Sequence, residues 1–223
     1  MPIVDRGGKM GDLKKYKRTQ VKRILAHMQR IGKISNRNVD PSRTVLNENL
    51  MAATKGEPEA ALRKRLEEIH VMNRSDIVIL ASWVFTLPKD CMDEQSFFQC
   101  VVAFLSERYQ PENVIGAFIH RDESQPHLHL LFTPSIYDSK KKYEKLCANS
   151  VLTRNDLRTI HRDLQDYLIK HGVTGTVYTG ITAKQGGNIP VKRLKLKLTR
   201  SIDRKRDVQE EHEIDMHEID ILR

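Results

Sequence analysis

Three of the nine histidines fall within ten residues, His120-Arg121-Asp122-Glu123-Ser124-Gln125-Pro126-His127-Leu128-His129. Val114–His120 before the intervening loop and Leu128–Thr133 after it are β-branched, aromatic or aliphatic, the composition of two strands. The six residues from Arg121 to Pro126 are polar and end in proline, which suits a hairpin connection. Strand side chains alternate between faces, so His127 and His129 share a face and Leu128 and Leu130 take the other. On the partner strand His120 shares its face with Phe118 and Gly116. Matching faces across the ladder bring three imidazoles together at the mouth of the hairpin. Three neutral imidazoles leave coordination positions open, as a catalytic rather than a structural metal site requires. The donors suit Mn, Zn, Ni or Co, and suit Mg less well. Asp122 and Glu123 are placed to orient the imidazole N–H groups.

The elements that must position this cluster are legible on either side of it. Val21, Ile24, Leu25, Met28 and Ile31 have the spacing of an amphipathic helix over residues 20–31, closed by Gly32. Arg23, His27 and Arg30 form a stripe on its opposite side. A second helix is expected from Pro58 to Ile69, a long buried strand from Asp76 to Leu87, and a third helix from Asp93 to Tyr109. Thr153 and Asp156 form a capping box for a helix running to His171, with Leu157, Ile160, Leu164 and Leu168 inward. Lys140, Lys141, Lys142 and Lys145 read as a basic polar loop, and residues 201–223 as a solvated charged tail.

At 223 residues the chain has room for one substantial domain and an appendage. Its net charge of +9 is unevenly spread. Residues 1–50 carry twelve Lys/Arg against four Asp/Glu, and residues 139–206 carry seventeen against five. Residues 51–138 carry eight against thirteen, so two basic segments flank an acidic middle and a polyanionic partner is expected. Cys91, Cys100 and Cys147 show no CxxC spacing, which fits reduced thiols and a cytoplasmic protein. No apolar run reaches the length of a membrane span.

The pattern His120-x-Asp122-Glu123-x-x-Pro126-His127-x-His129 resembles the signature of the plasmid mobilisation and recombination proteins, the Mob/Pre (MobV-type) relaxases among the HUH endonucleases. His27-x-x-Arg30, Asn38-Val39-Asp40 and Arg43-Thr44-x-Leu46-Asn47 are similar to the family's first motif. Arg154-x-Asp156-Leu157, Gln165-x-Tyr167-Leu168 and Gln185-Gly186-Gly187-Asn188 resemble later landmarks in the same order. Met28 stands where the family usually has Asn, Glu48 where an aromatic residue often follows Asn47, and Gly116 where a larger residue is common.

The resemblance implies an α+β fold, an antiparallel sheet with helices packed on it, over residues 1–200. It implies metal-dependent, strand-specific nicking and rejoining of plasmid DNA at an origin of transfer, and coupling to a conjugation apparatus. His120, His127 and His129 would hold a divalent metal, Mn2+ first, with Mg2+ or another transition metal as alternatives. His27 would attack the phosphate, with Tyr16 as its rival. Glu123 would join the catalytic groups, and Arg30, with Arg74, would stabilise transition-state charge. Lys14, Lys15, Lys17, Arg23, Asn47 and Arg74 are the expected DNA contacts. Two other classes stay open: a different HUH enzyme, such as a rolling-circle initiator or transposase, and a basic plasmid DNA-binding protein without catalysis.

Overall fold

A computed structural model describes residues 11–32 and 38–178; the Gly7-Gly8 turn, Gln185–Asn188 and the charged tail lie outside the described residues. The chain enters as strand β1 (Gly11–Lys17) and passes through a 3-10 turn into α1 (Val21–Met28). A 3-10 helix, Pro41–Leu46, leads to the short strand β2 (Glu48–Asn49), α2 (Ala52–Lys55) and α3 (Pro58–Glu68), which has proline in its first turn. The strand β3 (Val78–Thr86) precedes α4 (Glu94–Tyr109), whose N-terminus is capped by the Asp93 carboxylate accepting the Ser96 N–H at 3.1 Å. The strands β4 (Val114–His120) and β5 (His127–Phe132) follow, then a hairpin of β6 (Ser135–Asp138) and β7 (Tyr143–Leu146). A short α5 (Ala148–Val151) leads to α6 (Arg154–Lys170), where the Thr153 hydroxyl accepts the Asp156 N–H at 3.1 Å.

Five strands form one antiparallel sheet in the order β1-β3-β5-β4-β2. The strand alternation divides the core in two. Ala81, Trp83, Phe85, Ala117, Ile119, Leu128, Leu130 and Phe132 share one cluster with the apolar sides of α4 and α6. Leu80, Ile115, Phe118 and Leu131 share the other with Leu25 and Met28 of α1 and Leu62 of α3. Helices therefore cover both faces, as the α+β expectation requires. The first cluster is locked by a polar chain: Trp83 Nε1–H donates to the Tyr109 hydroxyl at 2.9 Å, and that hydroxyl donates to Asp156 at 2.8 Å.

Two expectations from spacing need correction. The helix expected over 20–31 ends at Met28, Arg30 has a left-handed backbone (φ 55°), and Ile31 is 63 % exposed rather than inward. A tertiary ion pair described below draws Arg30 off the helical path. Leu157 is exposed as well, at 40 %, while Ile160, Leu164 and Leu168 of the same helix are buried. The basic stretch 11–17 is an edge strand, and the lysine-rich stretch after Pro134 is a hairpin; neither has the apolar alternation that would mark it.

Candidate active site

Across the β4–β5 ladder His120 lies opposite His127, and Phe118 opposite His129. All three imidazoles therefore sit on the sheet face that α1 covers. Their ring centroids are 4.8 Å (His120–His129), 4.9 Å (His127–His129) and 5.4 Å (His120–His127) apart.

Hydrogen bonds to main-chain carbonyls set two of the rings. The Nε2–H of His120 donates to the Met28 carbonyl at the end of α1 (2.9 Å), and the Nδ1–H of His127 donates to the Gln125 carbonyl (2.9 Å). A carbonyl only accepts, so His120 keeps its lone pair on Nδ1 and His127 on Nε2. Nδ1 of His120 and Nδ1 of His129 are buried without any hydrogen-bond partner. Orphaned buried nitrogens of this kind are costly, and a divalent ion between them would remove the cost. Burial, reinforced by the charges of Arg30 and His127 and opposed by the Met28 carbonyl, pushes the His120 pKa down to about 4. Burial and then the neighbouring imidazoles hold His129 well below its ordinary value. Both are in the neutral form that binds metal.

The potential ligand atoms of His27, His120 and His129 lie within 4.8 Å of one another, and so do those of His120, Glu123 and His127. The three expected ligands are thus divided between two overlapping groups that share His120. A set of imidazoles joined by one carboxylate fits a borderline divalent ion such as Mn2+ better than Mg2+.

The His27 ring, on the last turn of α1, stands 5.8 Å from that of His120 and 6.1 Å from that of His129. Its pKa is lowered by burial first and then by the Arg30 charge, with Glu123 opposing, so the ring retains a lone pair at neutral pH. The guanidinium of Arg30 makes a two-pronged pair with Asp122 (Nε to Oδ2 2.9 Å, Nη2 to Oδ1 2.8 Å), touches Glu123 at 2.9 Å, and leaves Nη1 3.4 Å from His27 Nδ1. Its side chain is 3 % exposed. In this geometry Arg30 faces its carboxylates and reaches His27 only through that last nitrogen.

Asp122 does not reach the imidazoles, contrary to the role its position in the turn suggested. Its fully buried carboxylate accepts from Arg30, from Asn47 Nδ2 at 2.8 Å and from Thr44 Oγ1 at 3.2 Å, and its carbonyl accepts the Asp40 N–H at 2.7 Å. Burial alone would raise its pKa, but Arg30 and Asn47 outweigh it and bring the value to about 2. One carboxylate thus ties α1, the 3-10 helix and the histidine loop together. Asn47 is a part of this tie, and its Oδ1 also accepts the Arg121 N–H at 2.7 Å. Thr44 was visible in the sequence only as part of a motif, and nothing in the spacing marked it as a partner of Asp122.

Among the expected DNA contacts, Lys14 lies near enough for its charge to act on both His27 and His129. Arg23 is exposed one turn before His27 on α1. Lys15 is exposed on the edge strand, and Lys17 pairs with Val78 at the far end of β3. Arg74 is not brought to the site. It precedes β3, whose other end, Thr86, meets His127, and it is exposed and paired with Asp76. Tyr16 is 7 % exposed within the apolar cluster under α1, opposite Leu80, and burial followed by the Asp12 charge raises its pKa. It is poorly placed to rival His27.

Comparison with known proteins bears on this arrangement directly. A family model described as "Plasmid recombination enzyme" matches residues 9–182. The chain belongs to the plasmid recombination enzyme (Mob/Pre) family. Curated relatives include plasmid recombination enzymes of Bacillus thuringiensis, 28 % identical over 68 % of this chain and 35 % of that one, and of Streptococcus agalactiae, 29 % identical over 72 % and 33 %. The chain spans about a third of the length of these relatives. Among solved structures it is similar to the Mn-bound MobM relaxase domain in complex with plasmid pMV158 oriT DNA (TM-score 0.64, 27 % identity, 76 % of this chain and 89 % of that one).

In this Mob/Pre chain, two of the positions that differ from the usual pattern have local roles. Met28 supplies its carbonyl to His120 while its side chain is buried beneath α1, and Glu48 pairs with Arg121 at 3.3 Å. No helix among the described residues is long and apolar enough to cross a membrane.

Proposed function

We propose that this chain is a relaxase domain that nicks and rejoins one strand of plasmid DNA at an origin of transfer, through a covalent link between His27 and the 5′ phosphate. The observation that carries the reading is the placement of a neutral, solvent-facing His27 over buried imidazoles whose Nδ1 atoms have no partner. The Mn-bound, DNA-bound state of the similar MobM domain supports it. On this reading the protein works in the cytoplasm, where plasmid DNA resides, and hands the nicked strand over to a conjugation apparatus.

His120, His127 and His129 would hold a divalent ion, Mn2+ in the first instance, which when bound would supply Lewis-acid polarisation of a non-bridging phosphate oxygen. The lone pair of His27 forms the N–P bond as the P–O3′ bond breaks, and the leaving oxygen takes a proton to become a 3′ hydroxyl. Loss of the other imidazole proton leaves a phosphoramidate with a neutral ring and a single negative charge on its phosphoryl oxygens, and Glu123, 2.9 Å from Arg30 Nη2 and close enough for its charge to act on His27, is the nearby carboxylate to receive it. Asp122 and Arg30 hold the end of α1 so that His27 faces the phosphate, and Lys14 and Arg23 add positive charge on the approach. The adduct retains the energy of the phosphodiester, so attack by a 3′ hydroxyl reverses the step without ATP.

The test is relaxation of a supercoiled plasmid carrying the origin, with Mn2+ present. The intact protein should relax it, while His127→Ala and His27→Ala should leave it supercoiled. Trapped adduct should fall apart in mild acid, as a phosphoramidate does. An acid-stable adduct lost in Tyr16→Phe would reverse the assignment of the nucleophile, and equal relaxation by all variants would remove the enzymatic reading.

A further inference from the structure

Four arginines that lie partly or wholly buried are spent on carboxylates: Arg30 on Asp122 and Glu123, Arg65 on Glu144, Arg108 on Asp156 and Asp163, Arg121 on Glu48 and Glu94. The tip of the β6–β7 hairpin differs. Asp138 pairs there with Lys145 at 2.6 Å, and its other oxygen accepts the main-chain N–H groups of Lys140 and Lys141, both at 3.1 Å. The turn closes through Lys142 N–H to the Asp138 carbonyl at 2.7 Å, with Lys142 in a left-handed backbone (φ 57°). Among the described residues no carboxylate pairs with the ammonium groups of Lys140, Lys141 or Lys142. All three lysines are exposed, Tyr137 is 57 % exposed beside them, and Lys141 lies over the Tyr143 ring at 5.9 Å.

The hairpin is built to hold its tip still. At its base Ser135 Oγ donates to Asn113 Oδ1 at 2.7 Å, and Arg65, with a side chain 7 % exposed, donates to Asn113, Ser135 and Glu144. His70 clamps β7 through its own backbone, donating to the Glu144 carbonyl (2.8 Å) and accepting the Leu146 N–H (3.0 Å). A network this deep under a solvent hairpin means that the lysines are presented rather than trailing. Their location is also separate from the histidines, since β6 leaves the sheet just after Phe132, at the end of β5 opposite His127. The thirteen residues from His127 to Lys140 allow a separation of at most roughly 43 Å at about 3.3 Å per residue.

We infer that the β6–β7 tip is a second DNA contact, in which Lys140, Lys141 and Lys142 bind the phosphate backbone of duplex flanking the nicking site. The inference rests on the DNA-nicking reading above. The ligand is duplex because fixed, unpaired ammonium groups suit phosphates spaced along a regular helix, and ammonium groups without planar forks contact phosphate as point charges and carry no base readout. At 3.4 Å per base pair that reach corresponds to at most about thirteen base pairs, so the contact stabilises docking of the origin without touching the chemistry.

The experiment measures binding and nicking by the full chain and by Lys140→Ala/Lys141→Ala/Lys142→Ala on two DNAs. One is a single-stranded oligonucleotide ending about four nucleotides from the nick on either side, and the other carries a flanking duplex of about twenty base pairs. On the long DNA the triple variant should bind about tenfold more weakly near physiological salt, and the slope of log K against log salt should flatten by about two to three, one phosphate per lysine. On the oligonucleotide its binding and nicking should match the parent, and Lys→Arg at all three positions should restore the long-DNA slope. An unchanged slope on the long DNA overturns the inference, as does an equal loss on both DNAs or a loss explained by a lower melting temperature. Failure of the parent to nick the oligonucleotide would instead strike the active-site reading and leave the long-DNA slope to be judged by itself.

Discussion

At the residue scale, a carboxylate that is wholly buried yet accepts from Arg30, Thr44 and Asn47 has to stay ionised for His27 to keep its place. The Asp122 pKa of about 2 lies below the value of about 3.9 for an aspartate in an unfolded chain. The native state therefore binds this proton less readily than the unfolded one. The resulting stabilisation, about 2–3 kcal/mol, is complete above pH ~4 and disappears as the pH falls through about 2. Urea midpoints measured between pH 5 and pH 2 should show that loss in the parent protein. Asp122→Asn removes the titration, so its curve should be flatter over the same interval, from a starting point about 3–5 kcal/mol lower because Arg30 loses its main partner. Equal slopes in the two proteins would mean that the carboxylate is not holding the arrangement. Arg121, on the other side of the same loop, fastens it to Glu94 of α4 and to the Leu46 carbonyl, so the turn is tied to both halves of the molecule.

At the scale of elements, β4 has to bring His120 beside His127 and His129 while leaving room on the same face for Phe118, which lies opposite His129. Gly116 makes that room. A Cβ at this position would stand 2.8 Å from Phe118 Cε2, and the β4–β5 register is irregular between Val114 and Gly116. Phe118 is 4 % exposed, so the ring has little freedom to withdraw and would press on its neighbour His129. Gly116→Ala should cost about 1–3 kcal/mol in urea unfolding and weaken Mn2+ binding measured by titration calorimetry. Loss of stability with unchanged Mn2+ affinity would show that the strain is absorbed without reaching His129. The same strands explain how much could be read beforehand. The face shared by His127 and His129, the hairpin length and the boundaries of α3, α4 and α6 follow from local periodicity and caps, which the packing reinforces. The end of α1 and the position of Arg74 do not. Arg30 leaves the helix for a partner 92 residues away, and Arg74 falls at the wrong end of β3, outcomes of tertiary geometry to which a linear spacing is blind. The edge strand β1 was hidden for a different reason, since its lysines fall on both faces and its two larger apolar residues, Leu13 and Tyr16, are three apart and face opposite sides.

For the molecule as a whole, the candidate ligands come from two strands, from α1 and from the histidine loop, so an ion bound there would be thermodynamically coupled to the fold. An ion that binds the native arrangement and not the unfolded chain stabilises by RT ln(1 + [L]/Kd), about 2.7 kcal/mol at a hundredfold excess over Kd. For a protein of this length that should raise the melting temperature by roughly 5–10 °C on adding Mn2+. His120→Ala removes the residue shared by both groups of candidate ligands, and its melting temperature should barely respond to the same addition. Arg74→Ala, altered at an exposed pair away from the site, should respond as the parent does. A calorimetric scan of the three proteins with and without Mn2+ separates specific coordination from general ion effects. A shift retained in His120→Ala would place the ion elsewhere, because neither candidate group keeps three donors once that imidazole is gone. If the shift is lost there and kept in Arg74→Ala, the ion reports on the β4–β5 hairpin itself. The same linkage means that the orphaned nitrogens of His120 and His129 hold the metal-free fold below its full stability.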